Sequence, residues 1–120
     1  EEGVNEKMAE FINPIAYLGE QMTKFTTEIG FKGLQNPDEV GAAAVDYLRV
    51  AGHLVFGYLF ARMAQVALRE IAAGNTDPFY GAKLQTARFY FAKLFPETAT
   101  LMRTARAGSK VLMDTDLALA

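Results

Sequence analysis

The sequence lacks cysteine and tryptophan, and its 120 residues include a single histidine, His53. The absence of cysteine excludes disulfides and thiolate metal ligands, and it is typical of a reducing cytoplasm, where we expect the protein to be. One imidazole without a Glu-x-x-His motif excludes the di-iron ligand pattern of helical bundles and leaves a zinc site short of ligands. We therefore predict no metal centre.

Catalytic motifs are equally scarce. Ser109 is the only serine, no Gly-x-Ser-x-Gly motif surrounds it, and the sequence has no glycine-rich phosphate loop. Most acidic residues lie at predicted helix starts, where a carboxylate stabilises the helix dipole, so we interpret them as caps. The sequence therefore predicts no catalytic and no cofactor-binding residue in this chain.

The charge of the chain does not favour a polyanionic partner. The formal net charge is −2, whereas nucleic acids and anionic membranes bind surfaces with an excess of positive charge. The longest uncharged run of the second helix, residues 50–61, contains His53 and is shorter than the roughly 20 residues of a membrane span. We predict no membrane span and no signal peptide, and the lack of an initial Met suggests a C-terminal piece of a longer protein.

What the sequence does contain is apolar residues in helical spacing, and 51% of the chain is hydrophobic. The first helix is predicted over residues 5–31, with a seam in alternating steps of three and four: Met8, Phe11, Ile15, Leu18, Met22, Phe25 and Ile29. Pro14 lies off this seam, so we predict one helix that is kinked there. The alternative is a helix that starts at Asn13, with Pro14 in its first turn.

The second helix is predicted over residues 37–73, a length of roughly 55 Å. Asn36 can cap it, Pro37 suits the first helical position, and Glu39 would complete a capping box. Gly74 follows, and glycine tolerates the left-handed conformation that ends many helices.

The third helix is predicted over residues 79–95, after the cap and proline of Asp77 and Pro78. Its apolar stripe comprises Tyr80, Leu84, Ala87, Phe91 and Leu94. Pro96 interrupts this segment, and a shorter fourth helix is predicted from Glu97 to about Gly108.

Residues 109–120 are predicted to form a tail, of which the apolar residues 111–113 dock on the rest. The predicted fold is therefore all-α, an up-down bundle of three long helical segments, the last broken into two helices near Pro96. The whole chain, residues 1–120, is predicted to form a single domain.

The second helix also carries a polar stripe. Asp46, Arg49 and His53 share one of its faces, because their spacings of three and four residues are those of helical neighbours. A histidine can serve as a haem ligand, a general base or a pH switch. No second catalytic partner is visible in the sequence, so we interpret the stripe as structural.

Elsewhere the second helix is apolar in nearly every direction around its axis. Such a helix is buried on several sides, so it is either the central helix of the bundle or presents one face to another domain or subunit. Gly41, Gly52 and Gly57 each cost about 1 kcal/mol of helix stability relative to alanine. We predict that Gly52 and Gly57 allow a close approach of another helix.

Arginine and tyrosine residues raise one further hypothesis. Arg62 and Arg69 lie seven residues apart on the second helix, and Lys83 and Arg88 accompany Tyr80 and Tyr90 on the third. Arginine beside tyrosine can recognise phosphate, which would permit contact with CoA through Arg62, Arg69 or Arg88. An ordinary bundle surface has the same appearance, and we prefer that interpretation.

Two stretches carry a resemblance to a known family. The first consists of DYLRVAGH at residues 46–53 with YLFARMA at 58–64, and the second of FYGAKLQTARFYFA at 79–92 with LFPE at 94–97. Together they resemble the additional C-terminal helical domain of long-form acyl-CoA dehydrogenases, in particular the group similar to 3-methylmercaptopropionyl-CoA dehydrogenase. The resemblance is closest over residues 36–113.

This resemblance implies a parent enzyme that uses FAD to remove hydrogens from the α and β carbons of an acyl-CoA thioester. It also implies that the catalytic base and the flavin-binding elements belong to preceding catalytic domains, which would be partners of this chain. We expect a homo-oligomer and an accessory role in packing, in the dimer interface or at the substrate entrance. The alternative is a free-standing helical module that dimerises through the second helix.

Overall fold

The computed structural model describes residues 2–114, and all the regular structure in that range is helical. Its elements are α1 (Glu2–Lys7), α2 (Ala9–Gln35), α3 (Asp38–Ala72), α4 (Pro78–Phe89), a π-helix (Tyr90–Leu94), α5 (Glu97–Ala105) and α6 (Lys110–Met113). The all-α prediction is confirmed. The simple division into three long segments holds only in outline, because the third is divided more often than Pro96 alone predicts.

The long helix α3 is the centre of the arrangement. It packs against α1, α2, α4 and α5, so each of these helices covers part of its surface. The molecule is a flat slab whose principal extents are 66 × 29 × 14 Å. A slab this thin has little more depth than one layer of helices, which are about 10–12 Å across with their side chains.

The first segment starts at Glu2 and is interrupted at Met8, where the sequence predicted no interruption. The helix is continuous across Pro14, which confirms the prediction of one helix through the proline. Pro14 is inside α2, which continues to Gln35, so both the 5–31 boundary and the alternative start at Asn13 are wrong. Phe11 and Leu18 are buried on either side of the proline. Their burial offsets the one hydrogen bond that the proline removes from the helix.

The start of α3 differs from the prediction in one respect. The Asn36 side chain accepts a hydrogen bond from the Asp38 amide at 3.1 Å, as a cap does. The Glu39 carboxylate does not close a capping box; it accepts hydrogen bonds from the amide and the hydroxyl of Ser109. These two bonds lower the pKa of Glu39, and they fasten the segment after α5 to the start of α3.

The far ends of the helices follow the sequence signals closely. Gly74 has φ of +93° directly after α3, and Gly108 has φ of +86° after α5, the left-handed region that glycine favours. The Asp77 side chain caps α4 by accepting a hydrogen bond from the Phe79 amide at 2.9 Å. The predicted start of this helix was therefore one residue late, since α4 begins at Pro78.

The π-helix explains why the predicted stripe of the third helix fails at its end. Its hydrogen bond from the Phe95 amide to the Tyr90 carbonyl spans five residues, so the segment contains one residue more than an α-helical turn. Leu84 and Ala87 are buried as predicted, but Leu94 is half exposed and Phe95 is buried in its place. The extra residue turns the next side chains by about 100° around the axis.

The C-terminal part also differs from the prediction. The tail starts with a buried residue, Ser109, and continues as α6. Val111, Leu112 and Met113 are exposed, so the prediction that they dock on the bundle is wrong. The part of the predicted tail at 115–120 lies outside the described residues.

The buried side chains form two adjoining clusters along α3. One cluster surrounds Phe25 and Val50, and the other surrounds Phe11 and Ala64. Phe60 and Phe91 pack against both clusters and connect them. The heptad seam of α2 supplies Phe11 and Phe25, which confirms the seam as the core-facing side of that helix.

By length and composition alone, α3 is apolar enough to cross a membrane, with a mean hydropathy of 1.2 over its most apolar window. This is weak evidence, because the core helix of a soluble protein passes the same test. In this bundle α3 packs against α1, α2, α4, α5 and the π-helix. The absence of a membrane span stays a prediction.

Candidate functional site

The most elaborate polar arrangement in the molecule surrounds His53, and it joins α3 to the π-helix and α5. The His53 Nε2–H donates a hydrogen bond to a Glu97 carboxylate oxygen at 2.7 Å, and His53 Nδ1 lies 2.9 Å from the Tyr90 hydroxyl oxygen. Arg49 forms a salt bridge with the other Glu97 oxygen. We call these four residues the His53 clamp.

The Tyr90 hydroxyl has two acceptors within reach but only one proton to donate. It lies 3.0 Å from the backbone carbonyl oxygen of His53 and 2.9 Å from His53 Nδ1. When His53 is an imidazolium, Nδ1 donates to the hydroxyl oxygen and Tyr90 donates to the carbonyl. When His53 is neutral, Tyr90 donates to Nδ1 instead, so every polar group of the clamp has a partner in both protonation states.

The clamp shifts the pKa of its carboxylate. The hydrogen bond from His53 lowers the pKa of Glu97 most, and the charge of Arg49 lowers it further against an opposing effect of burial. A carboxylate with a lowered pKa stabilises the fold above its unfolded pKa, and this contribution is lost as the pH falls through the folded pKa.

We predict that Glu97→Gln flattens the acid limb of the stability profile. The wild type should lose stability progressively below about pH 5, and the variant should lose less because it has no carboxylate to protonate there. Urea unfolding midpoints measured across this range check the difference. Glu20→Gln is the control, since Glu20 is exposed and has no ion pair among the described residues; equal slopes in all three proteins would contradict the prediction.

Burial acts on the other side of the clamp, where it raises the pKa of Tyr90 from 10.0 to about 12. A neutral group with a raised pKa stabilises the fold below its unfolded pKa, and the contribution is lost as the pH rises towards the folded value. We predict a tyrosine that ionises near pH 12 in an alkaline titration followed by tyrosinate absorbance. Tyr90→Phe should remove that component, and its persistence in the variant would assign it to another tyrosine.

The chemistry available to this arrangement is limited. Tyr90 is buried, and the His53 ring is enclosed between Tyr90 and Glu97, so no reacting group can approach both nitrogens. Asp46, the third residue of the predicted polar stripe, accepts a hydrogen bond from the Thr104 hydroxyl of α5 at 2.9 Å. All three residues of the stripe therefore contact the π-helix or α5. These contacts position helices against each other, which agrees with the structural interpretation of His53.

Two of the cations considered for CoA binding, Arg62 and Arg88, have partners within the chain. Arg88 forms an ion pair with Glu10 at 2.7 Å and lies over the ring of Phe11. Arg62 donates to the Tyr58 hydroxyl at 3.0 Å. The charge of Arg88 is therefore partly neutralised, whereas Arg62 has only a neutral hydroxyl as its partner. Among residues 2–114, no group of three or more His, Cys, Asp or Glu side chains could hold a metal ion.

Among residues 2–114, an exposed apolar surface lies on the side of α3 away from its neighbours. We call it the outer seam, and it consists of Val45, Leu48, Gly52, Val55, Leu59, Arg62 and Val66. The aliphatic members are 49–72% exposed. Two apolar grooves flank the seam, one of about 320 Å³ towards α2 and one of about 580 Å³ towards α4.

A third groove, of about 530 Å³, lies between α2 and α5. Its apolar lining includes Leu18, Phe95 and Met102, and Arg103 and Arg106 stand at its side. Arg106 is paired with Glu28 at 3.2 Å. The groove is therefore an apolar furrow between two helices with a partly neutralised border.

A comparison with protein families identifies the family to which these helices belong. A family model described as acetyl-CoA dehydrogenase C-terminal like matches residues 1–116. The chain belongs to this family. It is thus an acetyl-CoA dehydrogenase C-terminal-like domain, and the resemblance seen in the sequence is confirmed at that level. No curated protein matches the sequence significantly.

The residues of this C-terminal-like domain do not fit an FAD site of their own. A flavin dinucleotide needs open backbone amides or free cations for its pyrophosphate. The side chains of Asn36 and Asp77 already accept bonds at the starts of α3 and α4, and Arg88 and Arg106 are paired with glutamates. Among the described residues, these two helix starts and these two cations are therefore not open to the pyrophosphate.

Proposed function

We propose that this chain is the accessory C-terminal domain of an FAD-dependent acyl-CoA dehydrogenase of the cytoplasm. The family match over residues 1–116 is the observation that carries the proposal. In the parent enzyme, FAD supplies the oxidation of the acyl-CoA between its α and β carbons. The catalytic base and the flavin site lie in other domains of the polypeptide.

The work of this domain is to stabilise the assembled enzyme through its apolar surfaces. A surface patch larger than a few hundred Å² is uncommon on a soluble monomer and marks an interaction site. The outer seam and its two flanking grooves are an exposed apolar surface along α3. Placed against other parts of the enzyme, this face serves the packing, dimer-interface or substrate-entrance role.

The similarity to 3-methylmercaptopropionyl-CoA dehydrogenases extends the proposal to the substrate. It supports an acyl-CoA thioester as the compound that the parent oxidises. The residues that would select the acyl chain belong to the catalytic domains.

The experiment is to express the complete gene product with and without this domain. The complete protein should purify with the absorption spectrum of a flavin and reduce an electron acceptor in the presence of acyl-CoA thioesters. The isolated 120-residue chain should show no turnover with FAD and acyl-CoA. Turnover by the isolated chain, or a gene product that has no flavin domain, would overturn the proposal.

The second candidate is a free-standing helical module that dimerises through α3. The exposure of the outer seam favours it, because the seam would serve a module as well as a domain. The mass of the natural gene product distinguishes the two. A natural protein of this length would support the module, and a much longer flavoprotein would support the accessory domain.

A further inference from the structure

The groove of about 530 Å³ between α2 and α5 has an apolar floor. We call it the α2–α5 groove. Leu18, Phe95 and Met102 form the floor, and all three side chains are buried. The hydroxyl of Thr98, which also lines the groove, already donates a hydrogen bond to the Phe95 carbonyl at 2.8 Å. Since small-molecule sites measure roughly 300–1,000 Å³, the groove has the size and the lining for the apolar part of a small ligand.

The floor of the groove is held in place from the side of α3. A Cβ atom built on Gly57 would lie 3.1 Å from the Phe95 ring, so this glycine lets Phe95 pack closely against α3. The close approach predicted at Gly57 is therefore confirmed. A Cβ atom built on Gly52 meets nothing within 4 Å, so the same prediction is wrong for Gly52 among the described residues. Because Phe95 is packed against α3, the floor of the groove is preformed.

The positive charge of the groove lies at one of its ends. The α2 residues of the lining extend from Pro14 to Gln21, roughly 10 Å along the helix axis. The Arg106 guanidinium lies 5.2 Å from the centroid of the Phe25 ring and pairs with Glu28 at 3.2 Å, so it stands beyond the Gln21 end. The groove therefore has an uncharged end near Pro14 and a cationic end near Gln21.

Cations outnumber carboxylates around the cationic end. Arg103 also lines the groove, and it has no hydrogen bond or ion pair within residues 2–114. Arg106 lines a second, polar cavity of about 390 Å³ together with Lys32 and Lys110. Glu39 is the acidic residue of that cavity, and its carboxylate already accepts two hydrogen bonds. This end thus carries local positive charge, although the chain has a net charge of −2.

We propose that the α2–α5 groove binds a single-chain amphiphile with an anionic head, namely an alkyl carboxylate. Its chain lies along the floor towards Pro14, and its carboxylate meets Arg103 and Arg106 at the other end. A guanidinium donates two parallel hydrogen bonds to a carboxylate, a geometry that suits this head. A neutral alkane would leave the two arginines without a partner, and a polyanion would leave the apolar floor uncovered.

A dissolved ligand fits this groove better than an anionic bilayer does. A bilayer would meet the whole chain, whose negative net charge opposes the approach, whereas one small molecule meets only the border of the groove. No residue of the outer seam lines the α2–α5 groove. The proposal is therefore independent of the accessory role of the domain, and its test measures no flavin chemistry.

Titration calorimetry of the 120-residue chain with dodecanoate, below the concentration at which the ligand forms micelles, tests the proposal. We expect saturable binding of one dodecanoate per chain. Acetate should not bind measurably, because it lacks the apolar chain. Dodecyltrimethylammonium, which has the same chain with a cationic head, should not bind either, because its charge opposes that of the two arginines.

Two variants separate the contributions of charge and of the apolar floor. Arg103→Gln should weaken dodecanoate binding about tenfold, and Lys24→Gln is its control, since Lys24 is an exposed cation of α2 outside the lining. Ala99→Phe should abolish binding because the new ring fills the groove, and Ala82→Phe is its control at an exposed position of α4. Circular dichroism should show all four variants to be as helical as the parent chain.

Several results would overturn the proposal. One is the absence of saturable dodecanoate binding, and another is equal binding of dodecyltrimethylammonium, which would indicate apolar contact without recognition of charge. A third is an equal loss of affinity in Arg103→Gln and Lys24→Gln, or in Ala99→Phe and Ala82→Phe. Binding to phosphatidylglycerol vesicles without binding of monomeric dodecanoate would assign the groove to a membrane surface instead.

Discussion

Replacing Phe25 by alanine is expected to lower the free energy of unfolding by about 3–5 kcal/mol. The Phe25 side chain is 1% exposed in the cluster around Val50. Its ring lies 6.0 Å from that of Tyr47, and the Arg106 guanidinium is 5.2 Å from its centroid. The truncation therefore removes a core side chain, an aromatic contact and a cation–π contact at the place where α2, α3 and α5 meet.

Urea unfolding followed by circular dichroism measures this loss. Phe31→Ala is the control, because Phe31 lies on the same helix but is 70% exposed. Its substitution should change the free energy of unfolding by less than about 0.5 kcal/mol. Similar losses for both variants would show that α2 does not use its heptad seam as the core-facing side.

The second large effect is expected from Val50→Asp. Val50 is fully buried in α3, and a carboxylate there would lie within an apolar cluster. An unpaired buried charge is among the few changes that cost about 4 kcal/mol or more. This is a large part of the roughly 5–15 kcal/mol that stabilises a domain, so we expect a strongly destabilised protein with reduced helical content.

The helical content of Val50→Asp at neutral pH is the measurement. Leu112→Asp, which introduces the same carboxylate at a side chain that is 60% exposed, should leave the content unchanged. A well-folded Val50→Asp protein would mean that this side of α3 is reached by water, and the position of α3 at the centre of the bundle would have to be revised.

The helices and their ends could be predicted from local signals because these signals act within one turn. The seam of α2, the cap at Asp77 and the glycines at 74 and 108 each specify a conformation without reference to distant residues. The capping role of Glu39 was wrong for the opposite reason. Its carboxylate has a second choice, Ser109, that lies 70 residues away in the sequence.

The His53 clamp shows where local reasoning stops. The spacing of Asp46, Arg49 and His53 indicated a shared face, but their partners Glu97, Tyr90 and Thr104 all follow or belong to the π-helix. If an α-helical period is continued from Phe79, the side chains after Tyr90 are assigned to the wrong side of the helix. No pattern in the sequence announces the extra residue, so the partners could not be assigned.

The outer seam lies between these cases. Hydropathy alone left two interpretations of α3, a central helix or a helix with one face for another molecule. The structure confirms the central position, because α3 contacts α1, α2, α4, α5 and the π-helix, and it leaves Val45, Leu48 and Val55 exposed. A contact of this exposed face with another molecule stays a prediction. Which faces of α3 are covered depends on where α2, α4 and α5 pack against it. The local periodicity of the sequence does not give these positions.

The extra residue of the π-helix also has a consequence for how this domain can change over evolutionary time. Deleting one residue between Tyr90 and Leu94 would restore an ordinary helix and rotate everything after it by about 100°. Glu97 would turn away from His53, and the buried side of α5 would face solvent. We therefore expect homologues to tolerate insertions and deletions in the loop before α4 far more readily than in these five residues.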